Sequence, residues 1–304
     1  MENIITTHML TKRYGDFYAL RNLSLEVRRG EVFGLLGPNG SGKTTTIRTI
    51  LGLIKATSGH GSVAGCDCWH DSLQVRERVS YLPGELRMFG YLTGYRHLKF
   101  FCELRGNRGY DRAVYIAEQV LSLDLKKKVR QYSTGMKQKL ALAQAFADPV
   151  EILILDEPTS ALDPSARGLV LDLVLAAKAQ GQTVIFSGHV LSEVERISDR
   201  VAIMRRGQLM HVEDMHTRRC VRMVLARFDE EAPQQFPDDL GLVVRNRNGR
   251  ELLFEHHGEL RSMLDWFSRQ NVSEMAIGTE DLRGLYDKYH GPDFVEGDLA
   301  ATGV

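Results

Sequence analysis

The sequence predicts an α/β fold built on a parallel sheet, with a helical insertion and a small α+β unit after it. Three observations predict this. An apolar run, Val32 to Leu36, enters the glycine-rich stretch Gly37-Pro38-Asn39-Gly40-Ser41-Gly42-Lys43-Thr44, and Thr44 to Leu53 leaves it as a helix. Two further apolar runs, Ile152 to Leu155 and Thr183 to Ser187, read as buried parallel strands. After about Met215 the composition changes to short strands, a strong Asn248-Gly249 hairpin turn and two amphipathic helices.

The chain has 304 residues, enough for one large domain and a small one. We place them at 1–215 and 216–304, with the helical insertion at about 85–140. Hydrophobic content of 43% allows a substantial core. Lys plus Arg and Asp plus Glu both count 39, so the formal charge is zero. That balance argues against a surface devoted to nucleic acid, and no nucleic-acid partner is expected. Cys66, Cys68, Cys102 and Cys220 lack zinc-site spacing and read as ordinary thiols of a reducing compartment. There is no basic-then-apolar leader at the N-terminus and no apolar run near the roughly 18 residues that span a bilayer. The expected location is the cytoplasm, with any membrane role supplied by a partner.

In chain order, Ile4 to Leu10 and Leu23 to Val27 read as strands around a turn at Tyr14-Gly15-Asp16. Tyr14 either stacks on a purine through its π-face or packs on the sheet. Gly59 to Val63 and Val79 to Leu82 suggest another strand pair, broken by Pro83-Gly84. Leu92 to Phe101 and Asp111 to Leu125 carry apolar residues at helical spacing, and Lys126-Lys127-Lys128 is a solvated helix end. Tyr132-Ser133-Thr134-Gly135-Met136 leads into a helix from Lys137 to Ala147. A hydroxyl-rich turn there is either a plain N-cap or an anion site. Asp163-Pro164 opens a helix to about Gln180, stopped by Gly181. Val201 to Met204 with Arg206-Gly207 reads as a strand and turn. In the last unit, Cys220 to Arg227, Leu242 to Arg245, Leu252 to Phe254 and Val272 to Ile277 are expected strands. Glu259 to Arg269 and Glu280 to Tyr289 are expected helices, and Gly297 to Val304 is an expected disordered tail.

The chemistry concentrates at strand ends. Gly37 to Thr44 fits the phosphate-binding pattern G-x-x-x-x-G-K-[ST] at every fixed position. Glycines let successive N–H groups approach phosphate oxygens, and the following helix N-terminus adds positive potential. Lys43 would reach the β- and γ-phosphates and the Thr44 hydroxyl would hold Mg²⁺. Ile152-Leu153-Ile154-Leu155-Asp156-Glu157 delivers two carboxylates to the C-terminal edge of a buried strand, where α/β sheets bind ligands. Asp156 would hold Mg²⁺ and Glu157 would accept a proton from an attacking water. His189, just past another strand end, is placed to donate to a phosphate.

With these pieces in order, roughly Ile4 to Met215 resembles the ATP-binding subunit of an ABC transporter. That resemblance implies a P-loop NTPase of the ABC nucleotide-binding type. Ser133-Thr134-Gly135-Met136-Lys137-Gln138 sits at the family's signature motif, Ile152 to Glu157 at its Walker B, Ser160-Ala161-Leu162-Asp163 at its D-loop and Ser187-Gly188-His189 at its switch histidine. Tyr14 stands where the family has its adenine-stacking aromatic. The resemblance implies nucleotide contacts at Tyr14, Gly37, Pro38, Asn39, Gly40, Ser41, Gly42, Lys43, Thr44, Thr45, Ser133, Gly135 and Asp163. It implies Mg²⁺ at Thr44 and Asp156, and chemistry at Glu157, His189 and Lys43. The substrate would be ATP, shared head-to-tail with a second nucleotide domain, in a homodimer. The protein would sit on the inner face of the membrane through a membrane-spanning permease.

The signature departs from the usual L-S-G-G-Q and is similar to that of ABC-2 type drug and antibiotic export ATPases, as is the C-terminal end. Those ATPases carry an appended domain associated with dimer contacts or regulation. Where the family has its Q-loop glutamine, this chain has Gly84, with Glu85 as the neighbour to replace it. The rival reading is a soluble ABC-type ATPase with a regulatory or nucleic-acid role. One set of motifs and no heptad run weigh against it.

Overall fold

The computed structural model describes residues 2–106, 108–279 and 282–290. It divides into two compact units. One runs to Val212 and takes back Tyr286–His290, and the other is Glu213–Leu285. The expected accessory domain, 216–304, thus begins a few residues early and returns its final helical turns to the first unit. The expected tail at Gly297 to Val304, and Glu280 and Asp281 of the last expected helix, lie outside the described residues.

The first unit opens with a hairpin, β1 (Asn3–Tyr14) and β2 (Phe17–Arg28), both longer than the sequence predicts because pairing continues to the turn through several bulges. β3 (Val32–Leu36) is buried at all five residues and runs into α1 (Lys43–Ile50). β4 (Ser58–Val63) and β5 (Cys66–Asp67) complete an antiparallel sheet of order β2-β1-β4-β5. After α2 (Ser72–Arg78), β6 (Val79–Leu82) joins a different sheet. The expected pairing of 59–63 with 79–82 is therefore incorrect: β4 pairs antiparallel with β1, and β6 pairs parallel with β7 (Ile152–Asp156). The reason is burial. β6 is largely covered, whereas the Ser-Gly-His start of β4 faces solvent, and each strand goes to a sheet that suits it.

The insertion carries α3 (Gly94–Leu104), whose Thr93 N-cap accepts from Arg96 N, and α4 (Tyr110–Tyr115), which continues as a π-helical turn over Ile116–Val120. α5 (Thr134–Ala145) returns the chain to β7. α6 (Pro164–Ala179), β8 (Thr183–Gly188), α7 (Leu191–Ile197), β9 (Arg200–Arg205) and β10 (Gln208–Asp214) follow. The central sheet has the order β10-β9-β3-β8-β7-β6, with β9, β3, β8, β7 and β6 all parallel. Its neighbours β3, β7 and β8 are buried along their whole length, which is why their sequences are continuous apolar runs rather than alternating ones. Phe33, Leu35, Ile152, Ile154 and Ile185 pack with the hairpin residues Leu20, Leu23 and Val27 in one core.

The second unit holds α8 (Met215–Cys220), β11 (Arg222–Phe228), β12 (Leu242–Asn248), β13 (Glu251–His256), α9 (Leu260–Phe267), β14 (Val272–Thr279) and the start of α10 (Leu282–His290). Cys220, expected in a strand, ends a helix instead, because Asp214 caps a short turn there through His216 N and Thr217 N. The four strands form an antiparallel sheet of order β12-β13-β11-β14. Met263 and Phe267 of α9 pack on Val224, Ala226, Leu252 and Phe254. No described helix is long and apolar enough to cross a membrane, and no metal-ligating cluster occurs among the described residues.

Candidate active site

The C-terminal ends of β3, β7 and β8 lie side by side, and they bring the phosphate loop, the two acids and the histidine to one edge. The loop geometry excludes larger residues. A Cβ on Gly37 would lie 2.5 Å from both Met204 O and Ser41 Oγ. Gly42 has φ +108, and a Cβ there would also approach Ala19 O at 3.0 Å. Lys43 is 5% exposed. Its Nζ donates to Gly37 O (2.7 Å) and Pro38 O (3.3 Å), and stands 3.3 Å from Glu157 Oε1 as an ion pair without hydrogen-bond alignment.

Glu157 is held on several sides. His189 Nδ1 lies 2.8 Å from its Oε2, and its backbone N–H donates to Ser187 Oγ (3.0 Å). Ser187 Oγ in turn donates to Asp156 Oδ1 at 2.6 Å. This one hydroxyl sets both acids, a role that sequence reasoning missed. Its signal was weak: a hydroxyl at the C-terminal end of a buried strand that also begins with one, Thr183. Asp156 is fully buried, and its Oδ2 has no hydrogen-bond partner among the described residues. A buried, unpaired carboxylate oxygen beside a phosphate loop suits a hard divalent cation that prefers oxygen ligands.

A pocket of about 200 Å³ is lined by Asn39, Gly40, Ser41, Gly42, Lys43, Thr44, Thr45 and Glu157, with Phe17 and Ala19 from β2. Tyr14 does not line it. Its ring is 53% exposed and lies under the Lys12 ammonium at 4.8 Å. Phe17, directly across the hairpin, is the aromatic at the pocket, and sequence reasoning passed over it. Its signal was position: Phe17 and Ala19 alternate onto one face of β2, and both border the loop.

Gly37, Pro38, Ser133, Gly135 and Asp163 are likewise absent from that lining. Ser133 Oγ accepts from Met136 N at 3.2 Å, the plain N-cap of α5. Asp163 Oδ1 accepts from Ala166 N at 2.9 Å as the N-cap of α6, and that N–H holds its carboxyl below the usual range. At the Q-loop position, a Cβ on Gly84 would stand 3.5 Å from Asp156 Oδ2, in ordinary contact, while Glu85 is exposed. Position 84 is the one that faces the acid.

The comparisons agree with this geometry. A family model described as ABC transporter matches residues 20–160. An uncharacterised ABC transporter ATP-binding protein of Synechocystis is 34% identical over 294 residues, covering 90% of this chain and 80% of that protein. The chain belongs to the ABC transporter ATP-binding proteins. The bacitracin transport ATP-binding protein BcrA of Bacillus licheniformis is 37% identical over 215 residues, 69% of each chain. The solved structure of an ATP-binding subunit of an ABC transporter superposes with a TM-score of 0.64 at 28% identity, covering 71% of this chain and 92% of that one. This ABC subunit is accordingly an ATPase.

Proposed function

We propose that the chain hydrolyses Mg²⁺-ATP between two copies and thereby drives export through a membrane-spanning partner. One observation carries the two-copy reading. The pocket holds Asn39 to Thr45 of the phosphate loop and Glu157, while Ser133 and Asp163, outside its lining, spend their side chains capping α5 and α6. A triphosphate bound there leaves its terminal oxygens open, and a helix N-terminus such as that of α5, brought by a second copy, supplies the positive potential they lack.

Within one copy, Lys43 and the loop N–H groups bind and orient the phosphates. Glu157, aligned by Ser187 and His189, takes a proton from the attacking water. His189 Nδ1 faces the Glu157 carboxylate and donates to it, so the other nitrogen of the neutral ring is an acceptor that can take a hydrogen bond from the attacking water or substrate. Thr44 and Asp156 are the residues that would hold Mg²⁺, which when bound neutralises charge developing on the phosphates. Phe17 borders the outer end of the pocket and would stack on the base.

Export of a drug- or antibiotic-like compound is supported by the similarity to BcrA, whose name records bacitracin transport. The partner's docking surface is the aromatic cluster at the start of the insertion. Phe89, Tyr91 and Phe100 are 41%, 71% and 37% exposed, and Phe89 meets Phe100 edge-on at 5.5 Å and stacks with Phe101 at 6.2 Å. Several aromatic rings shared between solvent and one another suit an amphipathic segment of another protein. Purification from membranes should bring a multi-spanning protein with the chain. Phe89→Asp should abolish that association while the detached chain keeps its ATP turnover. Retained association in Phe89→Asp would contradict this surface.

A further inference from the structure

Glu157 has φ +51, a left-handed backbone that a glutamate rarely adopts. Such a conformation persists only where the surroundings over-determine it. Here three helices pin the residues that follow it. Gln138 of α5, 4% exposed, donates from Nε2 to Pro158 O at 2.8 Å. Thr159 Oγ1 donates to Glu193 Oε2 of α7 at 2.6 Å, and that carboxylate is 8% exposed. Arg167 of α6 donates from Nε to Leu162 O at 2.9 Å and meets Glu193 Oε1 at 3.4 Å. The same stretch packs against the signature turn so closely that a Cβ on Gly135 would lie 2.9 Å from Ala161 O.

We propose that Gln138 is a positioning residue for the Glu157 carboxylate. It acts through the Pro158 carbonyl, and Thr159 and Glu193 complete the clamp from the other side. Gln138 sits one turn inside α5, the helix that begins at Ser133. The clamp therefore joins the signature turn to the base of the same copy. Resting on the two-copy reading above, this means that a shift of the signature turn, when a nucleotide leaves the partner's pocket, displaces Glu157 in its own. The clamp reaches the phosphate loop through Glu157, one partner of Lys43 beside the loop's own backbone contacts, so its effect should fall on turnover far more than on nucleotide affinity.

The test uses the full chain and three variants. Gln138→Met keeps length but removes the donor, Thr159→Val removes the hydroxyl, and Thr159→Ser keeps it. Turnover is measured against ATP concentration, and affinity is measured separately with a fluorescent ATP analogue. Gln138→Met and Thr159→Val should lower kcat tenfold or more with Kd within twofold of the parent, and Thr159→Ser should retain at least half the parent kcat. In a Glu157→Gln background, where the base is gone, Gln138→Met should slow the residual single-turnover hydrolysis less than twofold, as expected of a residue acting through Glu157. Parent-like kcat in both donor-less variants, equal losses in Thr159→Ser and Thr159→Val, or an additive loss in the double variant would overturn the assignment. If Gln138→Met fails to fold, the Thr159 pair decides. A parent chain without turnover would sink the ATPase reading and this inference together. A working parent with indifferent variants sinks the inference alone.

Discussion

Phe17 and Tyr14 face each other across one turn, and the difference between them shows what a single residue's position decides. Tyr14 lies on β1, an inner strand of its sheet, and Phe17 on the edge strand β2. The family resemblance points to an aromatic near this turn. It names Tyr14, whereas the ring that lines the pocket is Phe17, because strand order rather than the local sequence sets which of the two reaches it. Phe17→Ala should weaken adenine-nucleotide binding by about 1–3 kcal/mol, the range for stacking one base on an aromatic ring. Tyr14→Ala should leave binding within twofold, and isothermal titration calorimetry distinguishes them. The reverse ranking would restore Tyr14. Ser187 makes a related point. Nothing in its neighbours' apolar pattern announces that its hydroxyl bridges Asp156 and the Glu157 backbone. The acids themselves were legible because two carboxylates closing a buried strand have few other uses.

At the level of elements, β3, β7 and β8 were legible as continuous apolar runs, and the helix start at Asp163-Pro164 was legible from its cap, whereas the Thr93 cap of α3 was not read. Partner choice was not legible. The 59–63 and 79–82 strands differ in polarity, but which strand each one joins is set only by the fully formed sheets. The packing of α3 on α5 carries a titratable contact. His97, 1% exposed, lies 3.2 Å from Gln144 Oε1 and 4.7 Å from the Phe101 ring, and burial pushes its pKa down. His256 in the second unit is also fully buried, with its pKa lowered by burial and then by Arg222. For a histidine held neutral, the unfolded chain binds more protons below about pH 6.5, so stability is complete above that value and falls as pH drops through it. The slope is at most about 1.4 kcal/mol per pH unit for each histidine. Denaturant titrations at pH 7.5 and 5.5 should show the loss, and it should shrink in His97→Phe. An unchanged pH dependence in that variant would remove His97 from the account.

For the whole molecule, the catalytic parts of one copy are complete on one side only. The sheet edge supplies Lys43, Glu157 and His189 together, while Ser133 and Asp163 spend their side chains capping helices away from that pocket. One pocket with half of its expected contacts is the physical content of the claim that ATP joins two chains. In the proposed two-copy reading, a higher affinity of nucleotide for the paired state is what would let hydrolysis separate it. The second unit adds a small core of its own and, among the described residues, no metal-ligating cluster. The most direct test is light scattering of the Glu157→Gln variant, which should bind ATP without consuming it. With Mg²⁺ and saturating ATP its mass should double from the 34.3 kDa of one chain, and Lys43→Ala should prevent the doubling. A Glu157→Gln variant that binds ATP yet keeps the mass of a single chain would contradict the account.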